Sequence, residues 1–323
     1  MTTIRDVAKL AGVSIATVSR ASNEPELVST EVRSKIEKAI AATGYVKSVK
    51  PRRKSDLFGI ILPNLSNPFF LNLLEALEYE ARTHRKSIVL FNSRQKLEME
   101  RAAFAQCRKM KVDGVFLVPH SVSREYIAEI RRYDFPTVLL TRTSSLLPSV
   151  AVDHVEGGRQ VAEHVISSGH VNVAYVGPTK SSEEKLVGFL QGLQQAGLQL
   201  RADLAFDTEG EGDLRRFVID TARRKRASVI FCVNDVLAQE IITMLRAAEM
   251  DVPQDMEIVG FDNSIVASLL DISSVSQPMK EIAHVGFEAM LLALKSERPS
   301  EIYEPHQLLP RLVMRGSSLN LRR

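Results

Sequence analysis

The sequence predicts an α/β protein with a small three-helix head and a two-lobed body of doubly wound parallel sheets. Three observations point there. Residues 4 to 43 follow a helical period interrupted twice by turn residues. From Leu57 onward, short apolar runs alternate with helical stretches, the pattern of parallel strands covered on both faces. The alternation then comes in two sets, meeting at about residue 148.

At 323 residues, 45% hydrophobic and 25% charged, the chain has the composition of a folded protein of two to three domains. Its start, Met1-Thr2-Thr3-Ile4-Arg5-Asp6, lacks the apolar stretch of a leader, and no uncharged run has membrane-spanning length. A cytoplasmic protein with no membrane contact is expected. Cys107 and Cys232 sit far apart in apolar surroundings, as reduced core thiols would.

Charge is unevenly distributed. Residues 1–58 carry 11 Lys and Arg against 6 Asp and Glu, a net +5, which leaves −2 on the rest of a chain whose total is +3. A basic head on a slightly acidic body suggests a polyanionic partner for the head alone.

In the head, Thr3 is placed to cap a helix in which Ile4, Val7, Ala8 and Leu10 or Ala11 recur, and Gly12 to end it. Ser14 is placed to cap a second helix with Val18 inward and Ile15, Ala16 and Thr17 at the exposed end. A third helix, capped by Ser29 or Thr30, runs through Val32, Ile36, Ala39 and Ile40 to Gly44. The first two form a helix-turn-helix.

"TIRDVAKLAGVSIATVSR", followed by "NEPELVSTEVRSKIEKAIAATGY", resembles the DNA-binding head of the LacI/GalR family of bacterial transcription regulators. The resemblance implies that the second helix enters a major groove of double-stranded operator DNA. Ile15 and Ala16 would then meet base edges, reading thymine methyls and shape, because neither side chain forms hydrogen bonds. Arg20 would reach a phosphate or a guanine, and Thr3, Ser14, Thr17, Ser19 and Asn23 would set register through the backbone.

The linker "VKSVKPRRKSD" (46–56), between a head of residues 1–45 and a body of 57–323, departs from the family. It lacks the Pro-Asn segment and the Ala-Arg-x-Leu hinge helix, and Pro51 would interrupt a helix continuing from Lys47. Two readings stay open: a basic tether touching DNA through Arg52 and Arg53, or a solvated spacer.

In the body, strand-like runs fall at 57–63, 87–93, 114–119, 137–142, 149–153, 173–177, 228–233 and 257–262, with helices such as 70–83 and 98–110 between them. These segments resemble the periplasmic-binding-protein-like core of the same family, so the resemblance spans the chain. It implies a first lobe of about 57–147 and 277–307, and a second of about 148–276 and 308–323. Ligands of open parallel sheets bind beyond the carboxyl ends of the strands. Carried over by position, the effector candidates are Phe69, Phe70, Arg142, Asp153, Lys185, Asn234, Asp235 and Asp262: rings for the apolar face of a sugar, carboxylates and amides for its hydroxyls. Lys185 stands where many relatives carry Arg, and with Arg142 it suggests an anionic ligand, a sugar acid or sugar phosphate.

No GxGxxG, GxxxxGK or HExxH occurs, and His154, His164 and His170 are not spaced like metal ligands. No enzyme activity, cofactor or metal is expected. The remaining expectation is a repressor of carbohydrate catabolic genes controlled by a sugar-like effector, with a nucleoside-responsive or effector-free regulator as the alternative. With no leucine heptads following "RGSSLNLRR", and with two-fold operators in view, it would be a homodimer.

Overall fold

The computed structural model describes residues 3–23, 28–43, 55–180, 183–296 and 302–318. The chain divides into two compact units, Met1–Lys54 and Ser55–Arg323. Among the described residues no helix is long and apolar enough to cross a membrane.

The first unit holds helices α1 (Ile4–Ala11), α2 (Ile15–Asn23) and α3 (Thr30–Thr43). The backbone N–H and hydroxyl of Thr3 both donate to the Asp6 carboxylate, at 2.7 and 2.8 Å, closing the start of α1. Gly12 ends it with φ +66°, a left-handed conformation that costs glycine nothing. Val7, Ala8, Val18, Ile36 and Ala39 form the core. Ala11 packs against it while Leu10 is exposed, which settles the choice the periodicity left open.

The second unit begins earlier than the linker reading allowed. Asp113, just before the third strand, accepts from the backbone N–H groups of Ser55 and Asp56 at 2.9 and 3.0 Å, fastening both residues to the body.

Two six-stranded sheets follow. The first contains β1 (Leu57–Leu62), β2 (Ser87–Asn92), β3 (Gly114–Leu117), β4 (Thr137–Leu140), β5 (Ser149–Val152) and β11 (His306–Leu308), in the order β11-β5-β4-β3-β1-β2 and all parallel. Strand residues alternate between its faces. Phe58, Ile60 and Leu62 pack against α4 (Pro68–Thr83) and α12 (Met279–Lys295), and Ile61 against α5 (Leu97–Met110) and α6 (Arg124–Ile130). Each such fully buried side chain contributes ~1.5–3 kcal/mol of apolar transfer energy. Cys107 is buried in the second of these layers, and burial pushes its thiol up to about 12.

The second sheet contains β6 (Val173–Gly177), β7 (Ala205–Asp207), β8 (Val229–Cys232), β9 (Glu257–Asp262), β10 (Ser273–Ser276) and β12 (Arg311–Val313), ordered β12-β10-β9-β8-β6-β7. Only β12 is antiparallel to its neighbour. The helices α7 (His154–Ser167) and α8 (Glu184–Gln195) cover one face, and α9 (Leu214–Arg223) and α10 (Asp235–Arg246) the other; α11 (Ile265–Leu269) is a short helix after β9.

The sequence placed residues 148–153 at the start of the second lobe. The structure instead puts β5 in the first sheet, because Leu139 and Leu140 pair with Ser149 and Val150. The chain therefore crosses between lobes at three points: after Val152, after Ser276 and after Leu308.

Candidate DNA-reading helix and ligand cleft

In the first unit, Val18 is 1% exposed and pins α2 to the core, which turns Ser14, Ile15, Ala16 and Arg20 to the surface. Thr17 and Ser19 are half-buried. The Ser14 hydroxyl accepts from the Thr17 backbone N–H at 3.0 Å and lies 2.8 Å from its hydroxyl, so both side chains stand together at the helix start. An apolar pair flanked by small hydroxyls is thus presented at the start of α2, with Arg20 exposed in its last turn. Asn23 ends α2, but its side chain, like all of Arg52 and Arg53, lies outside the described residues.

In the second unit, a cavity of about 480 Å³ lies between the lobes at the carboxyl ends of the strands. From the first lobe come Asn67, Phe69 and Phe70 after β1, and Thr141 and Arg142 after β4; from the second come His154, Glu183, Glu184, Lys185, Asn234, Asp262 and Gln277. Asn67 caps α4 by accepting from the Phe69 N–H at 3.0 Å, while Pro68 opens the helix. That cap aims the two phenylalanines, whose rings meet edge to face at 5.0 Å.

Asp262 closes β9 with φ +101°, a strained backbone for a residue with a side chain. One carboxylate oxygen accepts from Gln277 Nε2 at 2.7 Å and lies 3.6 Å from Lys185 Nζ. The other faces Asn67 Nδ2 across the cleft at 3.5 Å, the long end of hydrogen bonding. Lys185 also donates to the Val233 carbonyl at 2.9 Å and lies over the Phe261 ring at 4.1 Å from its centroid. Asn234 caps α10 through Oδ1, which leaves its NH2 end for a ligand.

Of the eight effector candidates, Phe69, Phe70, Arg142, Lys185, Asn234 and Asp262 line this cavity. Asp153 and Asp235 do not. Asp153 turns back to accept from the Glu156 N–H at 2.9 Å as the cap of α7. Asp235 is 1% exposed and points under the sheet end, accepting from the Ser264 N–H at 2.6 Å and the Ser274 hydroxyl at 2.5 Å. Burial, with the Asp262 charge adding, pushes its carboxyl up to about 6. Asn67, His154, Glu183, Glu184 and Gln277 were missed as lining residues; Asn67 announced itself only through the Asn-Pro start of a helix.

Lys185 does not stand in the cleft as an isolated cation. Its ammonium is already matched to Asp262 and a carbonyl, and Glu184 is held below the usual carboxylate range by His154, with Arg142 and Lys185 assisting. Two cations and three carboxylates, Glu183, Glu184 and Asp262, line the cavity.

The placement of α8 comes from glycine. A Cβ on Gly158 of α7 would stand 2.0 Å from the Lys185 carbonyl oxygen, and one on Gly188 would stand 1.8 Å from that of Val155. Only bare backbone lets the two helices cross this closely.

The profile described as bacterial regulatory proteins of the lacI family matches residues 3–48, and that of a periplasmic binding protein-like domain matches 162–318. The HTH-type transcriptional regulator RegA of Clostridium saccharobutylicum is 31% identical, covering 98% of this chain and 99% of its own. The solved structure of a transcriptional regulator CelR–cellobiose complex superimposes with a TM-score of 0.67 at 25% identity, covering 98% of this chain and 100% of that one. A periplasmic binding protein/LacI transcriptional regulator from Alkaliphilus metalliredigens QYMF, crystallised with D-xylulofuranose, shares the fold with a TM-score of 0.72 at 22% identity, covering 82% of this chain and 100% of that one. With a helix-turn-helix head, two parallel-sheet lobes and a relative at this identity over nearly its whole length, the chain belongs to the LacI family of DNA-binding transcriptional regulators, which are not enzymes.

Proposed function

We propose that the protein is a cytoplasmic homodimeric repressor of carbohydrate catabolic genes, released from or fixed to its operator by a neutral sugar bound between the lobes. The observation that carries this is the cleft itself: an edge-to-face phenylalanine pair for the apolar face of a sugar ring, opposite a fixed carboxylate and amides suited to its hydroxyls. Neutral sugars are favoured over sugar acids or phosphates because the Lys185 ammonium is matched to Asp262 and the lining carries three carboxylates against two cations. The cellobiose bound by CelR, 25% identical to this chain, supports the ligand class.

A dimer matches the two half-sites of an operator, each read by Ile15 and Ala16 of one α2. Exposed Leu71 and Tyr79 on α4 and Leu292 on the adjacent α12 supply apolar surface for self-association. Binding at the cleft alters DNA affinity only as far as the sugar prefers one lobe arrangement over another.

The test is a thermal-shift screen of the full-length protein against mono- and disaccharides, sugar acids and sugar phosphates, followed by operator binding with and without each hit. A neutral sugar should raise the melting temperature, and Asp262→Asn should abolish the rise. Preferential stabilisation by acids or phosphates would overturn the neutral-sugar reading.

A further inference from the structure

Asp262, the fixed carboxylate of the cleft, is followed by Asn263, and both backbones lie at positive φ, +101° and +47°. Neither residue is glycine, so the pair persists only where its neighbours impose it. The chain then runs through α11 and returns as β10, a connection of residues 263–272 on which Ile265 and Leu269 are exposed. Whatever holds the two ends of that connection also fixes the direction of Asp262.

Arg315, two residues past β12, reaches both ends. Its guanidinium donates through Nη1 to the Ile272 carbonyl and through Nη2 to Asn263 Oδ1, each at 2.7 Å. The base of the side chain is itself anchored, because the Arg315 backbone N–H donates to the Ser273 hydroxyl at 2.7 Å and the Gly316 N–H to the Asp271 carboxylate at 3.0 Å. A guanidinium only donates, so the Asn263 amide must turn its oxygen to the arginine and its NH2 to the Ser276 hydroxyl, 3.2 Å away beside the crossing between the lobes. The Asn263 backbone N–H donates to Ser274 Oγ at 2.9 Å. Among these contacts of Asn263, the one from Arg315 is charge-assisted and therefore the stronger kind. A planar fork serves two acceptors in fixed directions, which the point charge of a lysine does not.

We propose that Arg315 is a positioning residue of the ligand cleft: by clipping together the two ends of the 263–272 connection it keeps Asn263, and with it the Asp262 carboxylate, in the direction that meets a sugar hydroxyl. Arg315 lies outside the cavity lining and acts through Asn263. Without the fork, the Asn263 side chain keeps, among the described residues, the Ser276 contact, which either orientation of the amide satisfies because a hydroxyl both donates and accepts. The strained pair is then free to relax, and the carboxylate turns away from the ligand for part of the time. Losing a hydrogen bond to a charged group corresponds to about a ten-fold change in affinity.

This rests on the cleft being the effector site, and the experiment separates the two. Cellobiose and sucrose are titrated calorimetrically into the full-length wild type, Arg315→Lys, Asn263→Gly and the double variant; glycine removes the Asn263 side chain while tolerating its positive φ. Each single variant should bind the better probe about ten-fold more weakly, and the double variant no more weakly than the worse single, since both changes remove one contact. R315K should keep the wild-type affinity for a DNA duplex selected by the wild type from a random library, measured without sugar, which a general loss of structure would not. Hydrogen exchange of the ligand-free proteins should be faster in R315K over residues 263–272 and unchanged over β6 and β8. Wild-type sugar affinity in R315K, or losses that add in the double variant, would overturn the assignment. If neither sugar binds but exchange quickens over 263–272 alone, the brace stands and the neutral-sugar reading falls; if neither binds and exchange is unchanged, both fall. Should R315K not fold, N263G carries the test: unchanged sugar affinity there, or unchanged exchange where neither sugar binds, overturns the proposal.

Discussion

Asp235→Asn should change how stability depends on pH. In the wild type the carboxyl is 1% exposed, bonded to the Ser264 N–H and the Ser274 hydroxyl, and burial pushes it up to about 6 from an ordinary value of 3.8. Below pH 3.8 the group is protonated in both folded and unfolded chains and makes no difference between them. As pH rises toward 6 the unfolded chain releases the proton while the folded chain still holds it, so the unfolded state gains. At about 1.4 kcal/mol for each pH unit of that gap, the wild type should lose about 3 kcal/mol between pH 4 and pH 7 through this residue. The asparagine amide keeps an acceptor for the Ser264 N–H and offers an NH2 to the Ser274 oxygen, so any fixed cost of the substitution is independent of pH. Urea unfolding followed by circular dichroism at intervals from pH 4 to 7 measures both proteins. The two stability curves should approach or cross as pH rises, the wild type losing ground. Parallel curves, or a wild type that gains on D235N, would refute the assignment of a buried carboxyl strained by ionisation.

Two further outcomes are expected. Gly158→Ala puts a methyl 2.0 Å from the Lys185 carbonyl; despite the helical preference of alanine it should cost about 2 kcal/mol or more in urea unfolding, and it should weaken sugar binding by shifting Lys185. Arg20→Ala should lower affinity for all DNA sequences and reduce the slope of log affinity against log salt by ~0.9, as for one lost phosphate contact; an unchanged slope with relaxed preference at one base pair would assign Arg20 to a guanine instead.

The strands of both lobes were legible because a parallel strand buried on both faces reads as an apolar run, as in Phe58–Leu62 or Val173–Gly177. Strand β10, Ser-Ser-Val-Ser, was not, since its serines bond to Asp235 and to Ser317 and Ser318 rather than showing as an apolar pattern. Strands β7, β11 and β12, three residues each, are too short to carry periodicity. The lobe of β5 was misassigned for a different reason: pairing partners are long-range choices, and nothing within "SVAVD" says which sheet it joins. Within the site, six of the eight candidate positions line the cavity, and the other two differ in side-chain direction. Asp153 and Asp235 stand beside lining residues in sequence, but the first turns back as a helix cap and the second sits one residue past one and turns under the sheet.

Strained backbone lines the cleft on both lobes. Thr141, at the end of β4, and Asp262, at the end of β9, both line the cavity with positive φ, +65° and +101°. Such conformations cost ~1–3 kcal/mol each and persist only where their surroundings impose them. On the second lobe that surrounding is known: Gln277, Lys185 and the Asp235-anchored Ser264 turn hold Asp262 from three sides. Among the described residues, its remaining oxygen reaches the first lobe through the long contact with Asn67. A hydroxyl pair bridging that oxygen and the Asn67 amide would replace one weak contact between lobes with two ordinary hydrogen bonds. Each contributes ~0.5–1.5 kcal/mol, and together they reach the 1–3 kcal/mol typical of allosteric coupling. Because those bonds exist only when the lobes are close, their free energy is differential between open and closed arrangements, which is the condition for a ligand to shift the equilibrium at all.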